Sequence, residues 1–473
     1  MGNHIIHHLP DFLNLPYLYC VRHFSYNRRI MYWVVLSGYF ILLVSLGLFR
    51  RKMNHGLDSF FFGERKLGAF WIFFTVTASW FGAAATIATI EASQTDGFRS
   101  AWLLGIPTVL TILIFIVLNR KIRGSQFVSL PDFLDRYYGK TVRAAASFFV
   151  FLYMATLAAS QLVAWGQFVG PFLGQGYQWA VVTGAVIVIF YSFAGGYGAV
   201  VRTDALQLIL LGGTVIFLMF FLGGSAVQVQ AEDFQMLNTP SFHLLMCLSF
   251  VAAWTISPII WQRVASARSA KASAKGLWLS VVIFAILYIM VILIGIGLRS
   301  GPRDLGFALM IRDWLPTGGG LIVFLGIAAA IMSTSDSAVN LAALTLVKDV
   351  FGIQEGREVI RWSRIFTLLS GLLTLLIAFQ FRSIIKTLGL ASEIMAEGLF
   401  VPGIAALLWG KRLPKAGLLS LGLGGGFALL VFVNSLWRFL PLPVWPYSVP
   451  IGLSLSIVGF SIGARLDLRQ KNS

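Results

Sequence analysis

Charged residues are scarce in this sequence, which makes a water-facing surface difficult to build. Only 12% of its 473 residues are charged, about half the share of a soluble globular domain, while 58% are hydrophobic. A soluble protein of this size needs polar side chains to cover its surface, so the composition excludes a soluble enzyme. Membrane spans of about 20 apolar residues would use most of the chain and leave no room for a sizeable domain outside the bilayer.

Cysteines and the familiar catalytic motifs are also scarce or missing. The two cysteines, Cys20 and Cys247, cannot build a disulfide framework, and no CxxC metal spacing occurs. There is no P-loop in the sequence, so ATP is not expected to drive the protein. No nucleophile–base pair or cluster of metal ligands stands out. The sequence therefore predicts neither an enzyme nor an organic cofactor.

Long apolar runs are what the sequence has in abundance. Thirteen runs are long enough to cross a bilayer, and they lie at about 32–49, 68–93, 101–118, 144–170, 177–194, 203–222, 242–262, 274–298, 318–346, 363–379, 384–409, 416–434 and 446–464. The fold class that this pattern predicts is an all-α polytopic membrane protein with about 13 transmembrane helices, embedded in the lipid bilayer.

The formal net charge of +17 is explained by the enrichment of Lys and Arg in the cytoplasmic loops of membrane proteins. If the N-terminus lies outside, 26 of the 36 Lys and Arg residues fall in the cytoplasmic segments, among them 263–275. Because cytoplasmic loops of membrane proteins are enriched in Lys and Arg, we predict an outside N-terminus and a cytoplasmic C-terminus in the cell (inner or plasma) membrane. The same asymmetry accounts for the excess of cations, so nucleic acid is not predicted as a partner.

The first residues do not resemble the rest of the chain. Histidine, proline and arginine are scattered among apolar residues, and no signal peptide can be discerned. The first long apolar run begins at Met31. We therefore expect residues 1–31 to be an N-terminal extension, with Met31 as the natural start.

Two of the runs carry sequences that interrupt a helix at mid-depth. The run 68–93 contains the small residues Gly82 to Thr86, and the run 242–262 contains Thr255, Ser257 and Pro258. Proline removes a backbone donor, and small residues let helices approach closely. Broken helices at the bilayer midplane are typical of transporter binding sites, because they free carbonyls for a cation. A plain proline kink or a close helix crossing is the alternative interpretation.

The run 318–346 carries the densest group of polar side chains. Ser333, Asp336 and Ser337 share one helix face, and Thr334 lies beside them. Hydroxyls and carbonyls with few carboxylates suit a monovalent cation better than Ca²⁺ or Mg²⁺. Alternatively, the hydroxyls bond back to the preceding turn or join neighbouring helices.

Two carboxylates, Glu393 and Glu397, lie four residues apart in another apolar run. At low dielectric they are not expected both to be ionised, which favours a shared proton, a bound cation or a cationic substrate. If this stretch reaches an aqueous vestibule, both are instead simply solvated.

Five motifs in order along residues 32–465 resemble one known family, the sodium:solute symporters. They are FFFGERKLG (60–68), SLPDFLDRYYG (129–139), YSFAGGYGAVVRTDALQ (191–207), WQRVASARSAKASAKG (261–276) and AAIMSTSDSAVNLAALTLVKDVF (329–351). The resemblance implies the bacterial leucine transporter fold, in which an inverted five-helix repeat forms the core. It places a flanking helix and loop at 32–67, the two repeats at 68–222 and 242–409, and further flanking helices and a cytoplasmic tail at 410–473.

The resemblance also implies site residues. The family's main sodium site falls on the carbonyls of Ala78, Phe81 and Ala330 and the hydroxyls of Ser333 and Thr334. A second cation site, found in some members, falls on Asp204, Asp336 and Ser337. Asp336 departs from the family, because members that bind two sodium ions have a hydroxyl there.

For the substrate, the resemblance indicates a site between the first, third, sixth and tenth core helices. The candidates are Trp80, Gln161, Trp165, Trp254, Glu393 and Glu397. Trp80 resembles a position in the choline carriers, and aromatic faces suit an amine by cation–π attraction. Trp80 as ordinary packing is an equal alternative.

The function predicted from the sequence is secondary active transport, in which Na⁺ flow drives uptake of a small organic solute by alternating access. The solute is expected to be an amine, an amino acid or a carboxylate, Na⁺ is the coupling ion, and family members often act as monomers. Two alternatives stay open. One is proton coupling on the same fold through Glu393, Glu397 or Asp336, and the other is a transporter-like sensor subunit.

Overall fold

The structure is a computed structural model, and it describes residues 15–48, 65–127, 129–194, 197–223, 228–237, 240–300, 306–353 and 357–472. Within these ranges the chain is helical, and its only β-type pairing is an isolated bridge. Part of the expected N-terminal extension belongs to the first helix, whereas residues 1–14 lie outside the described ranges.

Twenty α-helices follow one another in the described ranges. They are α1 (Leu15–Leu48), α2 (Ala69–Trp80), α3 (Thr89–Asp96), α4 (Gly105–Gly124), α5 (Leu130–Tyr138), α6 (Lys140–Ala164), α7 (Gly170–Leu173), α8 (Tyr177–Ala194), α9 (Tyr197–Gly223), α10 (Pro240–Thr255), α11 (Pro258–Ser266), α12 (Ala270–Gly297), α13 (Phe307–Trp314), α14 (Thr317–Leu344), α15 (Arg357–Gln380), α16 (Ile384–Met395), α17 (Val401–Trp409), α18 (Pro414–Ser420), α19 (Gly426–Trp437) and α20 (Val449–Asn472).

Short π- and 3₁₀-helical segments connect many of these helices. The π-helical segments are Ala84–Ala88, Trp165–Val169, Thr345–Val350, Ala396–Phe400 and Leu421–Gly425, and the 3₁₀ segments are Gly97–Trp102, Ala231–Phe234 and Leu298–Ser300. Single-turn π-segments are rare and often mark functional positions, so their presence in the central helices indicates a functional site there.

Each predicted apolar run coincides with a helix, but the count of 13 spans is not confirmed. In the described ranges ten helical stretches are long and apolar enough to cross a membrane, and a bent pair brings the number to eleven. One predicted span, 177–194, falls short, because the apolar part of α8 (Tyr177–Ser192) is only 10–17 residues long. Two others, 68–93 and 101–118, contribute to a single candidate span, Ala84–Gly124, which leaves α2 outside it as a short apolar helix.

Both predicted helix interruptions are confirmed. The first span breaks after Trp80, where α2 ends, and resumes as the π-segment Ala84–Ala88. The second span breaks between α10 and α11, which meet at 42°. Pro258 begins α11, a position where its missing N–H costs the helix nothing.

The two broken spans lie at the centre of the bundle. Helix α2 packs against α9, α11, α12 and α14, and α14 also packs against α6. At one end of the bundle the two broken spans are joined by backbone hydrogen bonds, from Leu67 N–H to the Ser266 carbonyl (3.0 Å) and from Arg268 N–H to the Leu67 carbonyl (2.9 Å). The interruptions are therefore surrounded by protein, as irregular backbone at membrane depth must be.

Candidate ion and substrate site

The end of α2 faces the middle of α14. Phe81 leaves the helix with φ −90° and ψ 58°, and Gly82 follows. A Cβ atom on Gly82 would overlap the Thr334 hydroxyl, so only glycine allows this approach. The last carbonyls of a helix have no partner within it, and Thr334 Oγ1 donates to one of them, the Ser79 carbonyl, at 3.1 Å.

The five residues of the predicted sodium site lie on these two facing segments. They are the buried residues Ala78, Phe81, Ala330, Ser333 and Thr334. Ser333 Oγ donates to Asp204 Oδ1 at 2.6 Å, and Thr334 Oγ1 lies 3.4 Å from the Ala330 carbonyl. Carbonyls and hydroxyls from two helices are thus available at one place, a donor set that fits a monovalent cation.

Asp204 of α9 lies beside this group and is completely buried. Its Oδ2 accepts hydrogen bonds from Thr75 (2.5 Å), Ser79 (3.3 Å) and the guanidinium of Arg263 (3.5 Å). Together with Ser333 on Oδ1, these donors satisfy both oxygens of the carboxylate. A buried carboxylate needs such partners, because an unpaired charge is very costly away from water.

Of the other two residues of the predicted second cation site, Ser337 belongs to the same network. Arg263 Nη2 donates to Ser337 Oγ at 2.8 Å and also to Ser79 Oγ. Asp336 lies near the network but bonds elsewhere, since its Oδ1 accepts from Ser192 Oγ at 2.9 Å. This region thus contains two carboxylates and one guanidinium, which leaves one negative charge for a cation to balance if both carboxylates are ionised.

Arg263 is the residue that the sequence analysis missed. It was counted with the cytoplasmic loop segment 263–275, but it lies in α11 and is 0% exposed. Its Nε also donates to the Thr75 carbonyl at 3.1 Å, so it joins α11 to α2. Its position directly after a broken span was the available signal, since a charged residue within a membrane span is functional by default.

A small cavity of about 40 Å³ lies next to the ion site. Its lining comprises Ser79, Trp80, Gly82, Ala84, Ala85, Leu104, Thr108, Tyr153, Leu157, Gln161, Trp254, Ile259, Tyr288, Thr334 and Leu388. The lining contains no charged residue. Both broken spans contribute to it, which is the location expected for a substrate at the midplane of this kind of bundle.

Three of the six substrate candidates line this cavity. Trp80 and Trp254 face each other with ring centroids 5.4 Å apart, and Trp254 stacks on Phe250 at 4.7 Å. The side-chain oxygen of Gln161 accepts from the Ala83 N–H at 3.2 Å, which attaches α6 to the broken first span.

The structure places the other three candidates outside the cavity lining. The ring of Trp165, in the π-segment that follows α6, packs against α8, at the place where a Cβ atom on Gly184 would be. Glu393 accepts a hydrogen bond from Ser448, and Glu397 lies against Gly452 of α20. The helices that carry these residues are buried on nearly all sides. A polar or aromatic side chain on them can therefore be buried without facing the cavity.

Four polar residues of the lining were not among the candidates. Ser79, Thr108, Tyr153 and Tyr288 contribute hydroxyls, and those of Thr108 and Tyr288 lie 3.1 Å apart. Nothing in the sequence distinguished these residues from other hydroxyl-bearing residues in apolar helices.

Known sodium/solute symporters align with this chain over most of its length. The sodium/pantothenate symporter of Escherichia coli K12 is 26% identical, with 91% of this chain and 95% of that protein aligned. Sodium/proline symporter 2 of Staphylococcus saprophyticus is 23% identical, with 85% and 86% aligned.

Solved structures share the fold. A Na⁺-coupled sialic acid symporter in a substrate-bound outward-open state superposes with a TM-score of 0.73 at 18% identity, covering 92% of this chain and 98% of that one. A transporter of the nucleobase-cation-symport-1 family gives 0.56 at 13% identity, covering 87% and 95%. The bundle therefore has the bacterial leucine transporter fold. The profile of the sodium:solute symporter family matches residues 60–425, and the chain belongs to that family.

Proposed function

We propose that this protein is a secondary active transporter that couples Na⁺ flow to the uptake of a small organic solute. The observation that carries the proposal is the shared position of Thr334. Its hydroxyl lies among the oxygens expected to bind Na⁺, and the residue also lines the cavity. An ion bound there would fix the wall against which the solute rests.

Coupling would follow from the two helices that the ion joins. Na⁺ held between the carbonyls of Ala78 and Phe81 and the hydroxyls of Ser333 and Thr334 would tie α2 to α14. A state in which these helices are together would bind Na⁺ better than one in which they separate. This difference in affinity is what lets the ion bias the equilibrium between outward-open and inward-open states.

Asp204, Asp336 and Ser337 form a second cation site in this proposal. Asp204 lies close to Ser333, so an ion leaving the main site would meet a carboxylate before reaching the cytoplasm. The orientation proposed is an outside N-terminus and a cytoplasmic C-terminus, on the distribution of Lys and Arg. The repeats are proposed at 68–222 and 242–409, each containing one of the two broken spans.

The cavity favours a solute without a strong negative charge. Two tryptophan faces and several hydroxyls line it, but no Arg or Lys does, so a carboxylate group would depend on backbone N–H groups near the helix breaks. An amine or a zwitterionic amino acid would use the aromatic faces by cation–π attraction. The related pantothenate and proline symporters give two further solutes to test.

Reconstitution in liposomes tests the proposal. Uptake of labelled choline, betaine, proline, a polyamine, pantothenate and a monocarboxylate is measured with and without an inward Na⁺ gradient at fixed pH. The Ser333→Ala/Thr334→Ala double variant should abolish Na⁺-dependent accumulation. Ser335→Ala is the matched control, because Ser335 is buried in the same helix but bonds back to the Ile331 carbonyl at 2.8 Å.

The outcomes separate the alternatives. Na⁺-dependent accumulation by the wild type and the Ser335→Ala control, but not by the double variant, supports the proposal and identifies the solute class. Accumulation that ignores Na⁺ and follows a pH step contradicts Na⁺ coupling. Equal Na⁺-driven uptake by wild type and double variant contradicts the ion site.

A further inference from the structure

Glu393 and Glu397 occupy a second polar position in the bundle, away from the cavity and the ion site. Glu393 lies in α16 and Glu397 in the π-segment Ala396–Phe400 that follows. Both are 0% exposed. This segment packs against α20, α10 and the π-segment Leu421–Gly425, so the pair lies where a core helix meets the flanking helices.

Most of the carboxylate oxygens of this pair have no hydrogen-bond partner. Glu393 Oε1 accepts from the Ser448 hydroxyl, but Glu393 Oε2 and both oxygens of Glu397 are buried without any partner. In the part of the chain that the structure describes, neither residue forms an ion pair. An ionised carboxylate buried in this way would cost far more than a folded protein can tolerate, so such groups become neutral or bind a cation.

The space around Glu397 is kept by two glycines on the neighbouring elements. A Cβ atom on Gly452 of α20 would overlap the Glu397 carboxyl group, and one on Gly424 would overlap the Glu397 carbonyl. Each position therefore requires glycine while the carboxyl group points at α20. The contact between α20 and the π-segment is shaped around an acidic side chain.

Few titratable groups exist on the elements packed against this π-segment. They are Lys386 on α16, His243 and Cys247 on α10, Lys140, Arg143 and Tyr153 on α6, and Arg465, Asp467, Arg469 and Lys471 on α20. Among the described residues, only the hydrogen bond from Ser448 and the mutual charge of the two glutamates influence the protonation of the pair. No cationic side chain in these ranges neutralises them.

We propose that Glu393 and Glu397 form a proton-binding site, in which the pair holds a proton while α20 is packed against the core. Their spacing of four residues lets the two side chains meet on one helix face. A proton on one of the two carboxyl groups leaves at most one negative charge on the pair. The proposal is independent of Na⁺ coupling at the main site.

A proton fits this position better than a metal cation does. A hard cation needs a shell of several oxygens, whereas one side-chain hydroxyl, that of Ser448, is the only described group that bonds to the pair. A proton needs a single acceptor. Releasing it would create unpaired negative charge, so release requires that water reach the pair through an opening between α20 and the π-segment.

Infrared spectroscopy of the full-length protein in lipid nanodiscs tests this inference. The carbonyl stretch of protonated carboxyl groups is followed from about pH 5, above the ordinary pKa of a carboxyl group, to about pH 9. Wild type should show a protonated band at neutral pH that Glu397→Gln or Glu393→Gln removes or diminishes. Asp467→Asn is the control, because Asp467 lies on α20 but accepts a hydrogen bond from the Ala416 N–H at 3.1 Å, and it should leave the band unchanged.

Three results would overturn the proposal. One is a wild-type spectrum without a protonated band at neutral pH, which needs no variant. Another is a band that both glutamine variants retain in full. The third is loss of the band on adding Na⁺ or K⁺ at fixed pH, which would make the pair a cation site.

Thermal stability provides a second readout. The melting temperature of wild type should fall by a few degrees or more as the pH rises through the range in which the band disappears, and that of Glu397→Gln should not. Parallel pH dependence in the two proteins would contradict the proposal. Failure of Na⁺-driven uptake would leave these results unaffected, so the two proposals can fail separately.

Discussion

The protein buries two pairs of carboxylates, and they are treated in opposite ways. Asp204 and Asp336 both accept hydrogen bonds from hydroxyl groups, and Asp204 also accepts one from the guanidinium of Arg263. Glu393 and Glu397 lie among apolar residues and glycines, and three of their four oxygens have no partner. The first pair therefore has donors that can stabilise a negative charge, whereas the second pair largely lacks them and is the one for which we propose a bound proton.

This difference shows what composition alone cannot tell about charge in a membrane protein. Both pairs are acidic residues in apolar helices, and both are completely or almost completely buried. What separates them is whether a neighbouring helix supplies donors. Four helices, α2, α9, α11 and α14, meet around Asp204, and three of them supply its donors. The elements around Glu397 supply none.

The largest effect expected is from removing the guanidinium. Arg263→Met leaves Asp204 buried without its counterion, and breaking a buried ion pair in this way typically costs about 3–5 kcal/mol. We expect a large loss of melting temperature or of folded protein in a detergent-based thermal assay. Arg268→Met is the matched control, since Arg268 is exposed just beyond α11.

The double variant Arg263→Met/Asp204→Asn sharpens the interpretation. Removing both charges together should restore much of the stability lost in Arg263→Met, because no lone charge is left on either side. If the double variant is as unstable as Arg263→Met, then packing of the long side chain rather than its charge holds the site together.

A direct comparison of the two pairs comes next in size. Asp204→Asn exchanges a carboxylate that faces Arg263 for a neutral amide and should cost about 3 kcal/mol. Glu397→Gln exchanges a protonated acid for an amide of the same shape and should cost less than about 1 kcal/mol at neutral pH. Both are measured by thermal unfolding at the same pH. A larger loss in Glu397→Gln than in Asp204→Asn would reverse the assignment of charge to the two pairs.

The sequence could predict the interruptions but not the direction of the side chains between them. Pro258 and the small residues after Phe81 interrupt helices for local reasons, so both breaks were predictable. Glu397 and Trp165 lie in helices that are buried nearly all round, where helical periodicity contains no information about which neighbour a side chain meets. The groups that donate to Asp204 come from three different helices, a coincidence that only the tertiary structure creates.

The span count failed for a different physical reason. The stretch from Ala84 to Gly124 forms one candidate span across two predicted ones, with only a 3₁₀ segment and a short turn between its α-helices, and α2 is too short to cross alone. Apolar length indicates that a segment lies in the bilayer, but the place where it turns depends on neighbouring helices that satisfy the backbone.

An intermediate effect is expected at Gly452, the glycine that contacts the Glu397 carboxyl group. Gly452→Ala should push the carboxyl group away from α20 and cost about 1–3 kcal/mol, the usual range for overpacking. Gly426→Ala provides the control, because a Cβ atom there meets no other atom within 4 Å. The two variants are compared by thermal unfolding. Equal stability would mean that Glu397 can turn elsewhere at little cost, which would weaken the evidence for a shaped proton site.

The smallest effect is expected at Asp233, which is buried but whose partner Arg299 is partly exposed to solvent. This residue pairs with Arg299 and packs on Gly97, whose φ of 56° and close approach both require glycine. Burial alone would raise the pKa of Asp233, but the hydrogen bond from Arg299, the N–H of Gln230 and the charge of Arg299 outweigh it and leave the pKa lowered. The pair thus resembles the Asp204 network in kind but is partly screened by solvent.

Because the folded pKa is lowered, the contribution of Asp233 is complete above the ordinary value of about 3.9 and is lost as the pH falls through the folded value. Asp233→Asn should therefore cost about 0.2–1 kcal/mol at neutral pH and nothing in strong acid. Hydrogen exchange of the segment 228–237, compared between variant and wild type at each pH, measures this small difference. Glu232→Gln is the exposed control. A difference that grows in acid would mean that the folded pKa of Asp233 is raised rather than lowered, and paired and orphaned carboxylates would then no longer differ as this structure indicates.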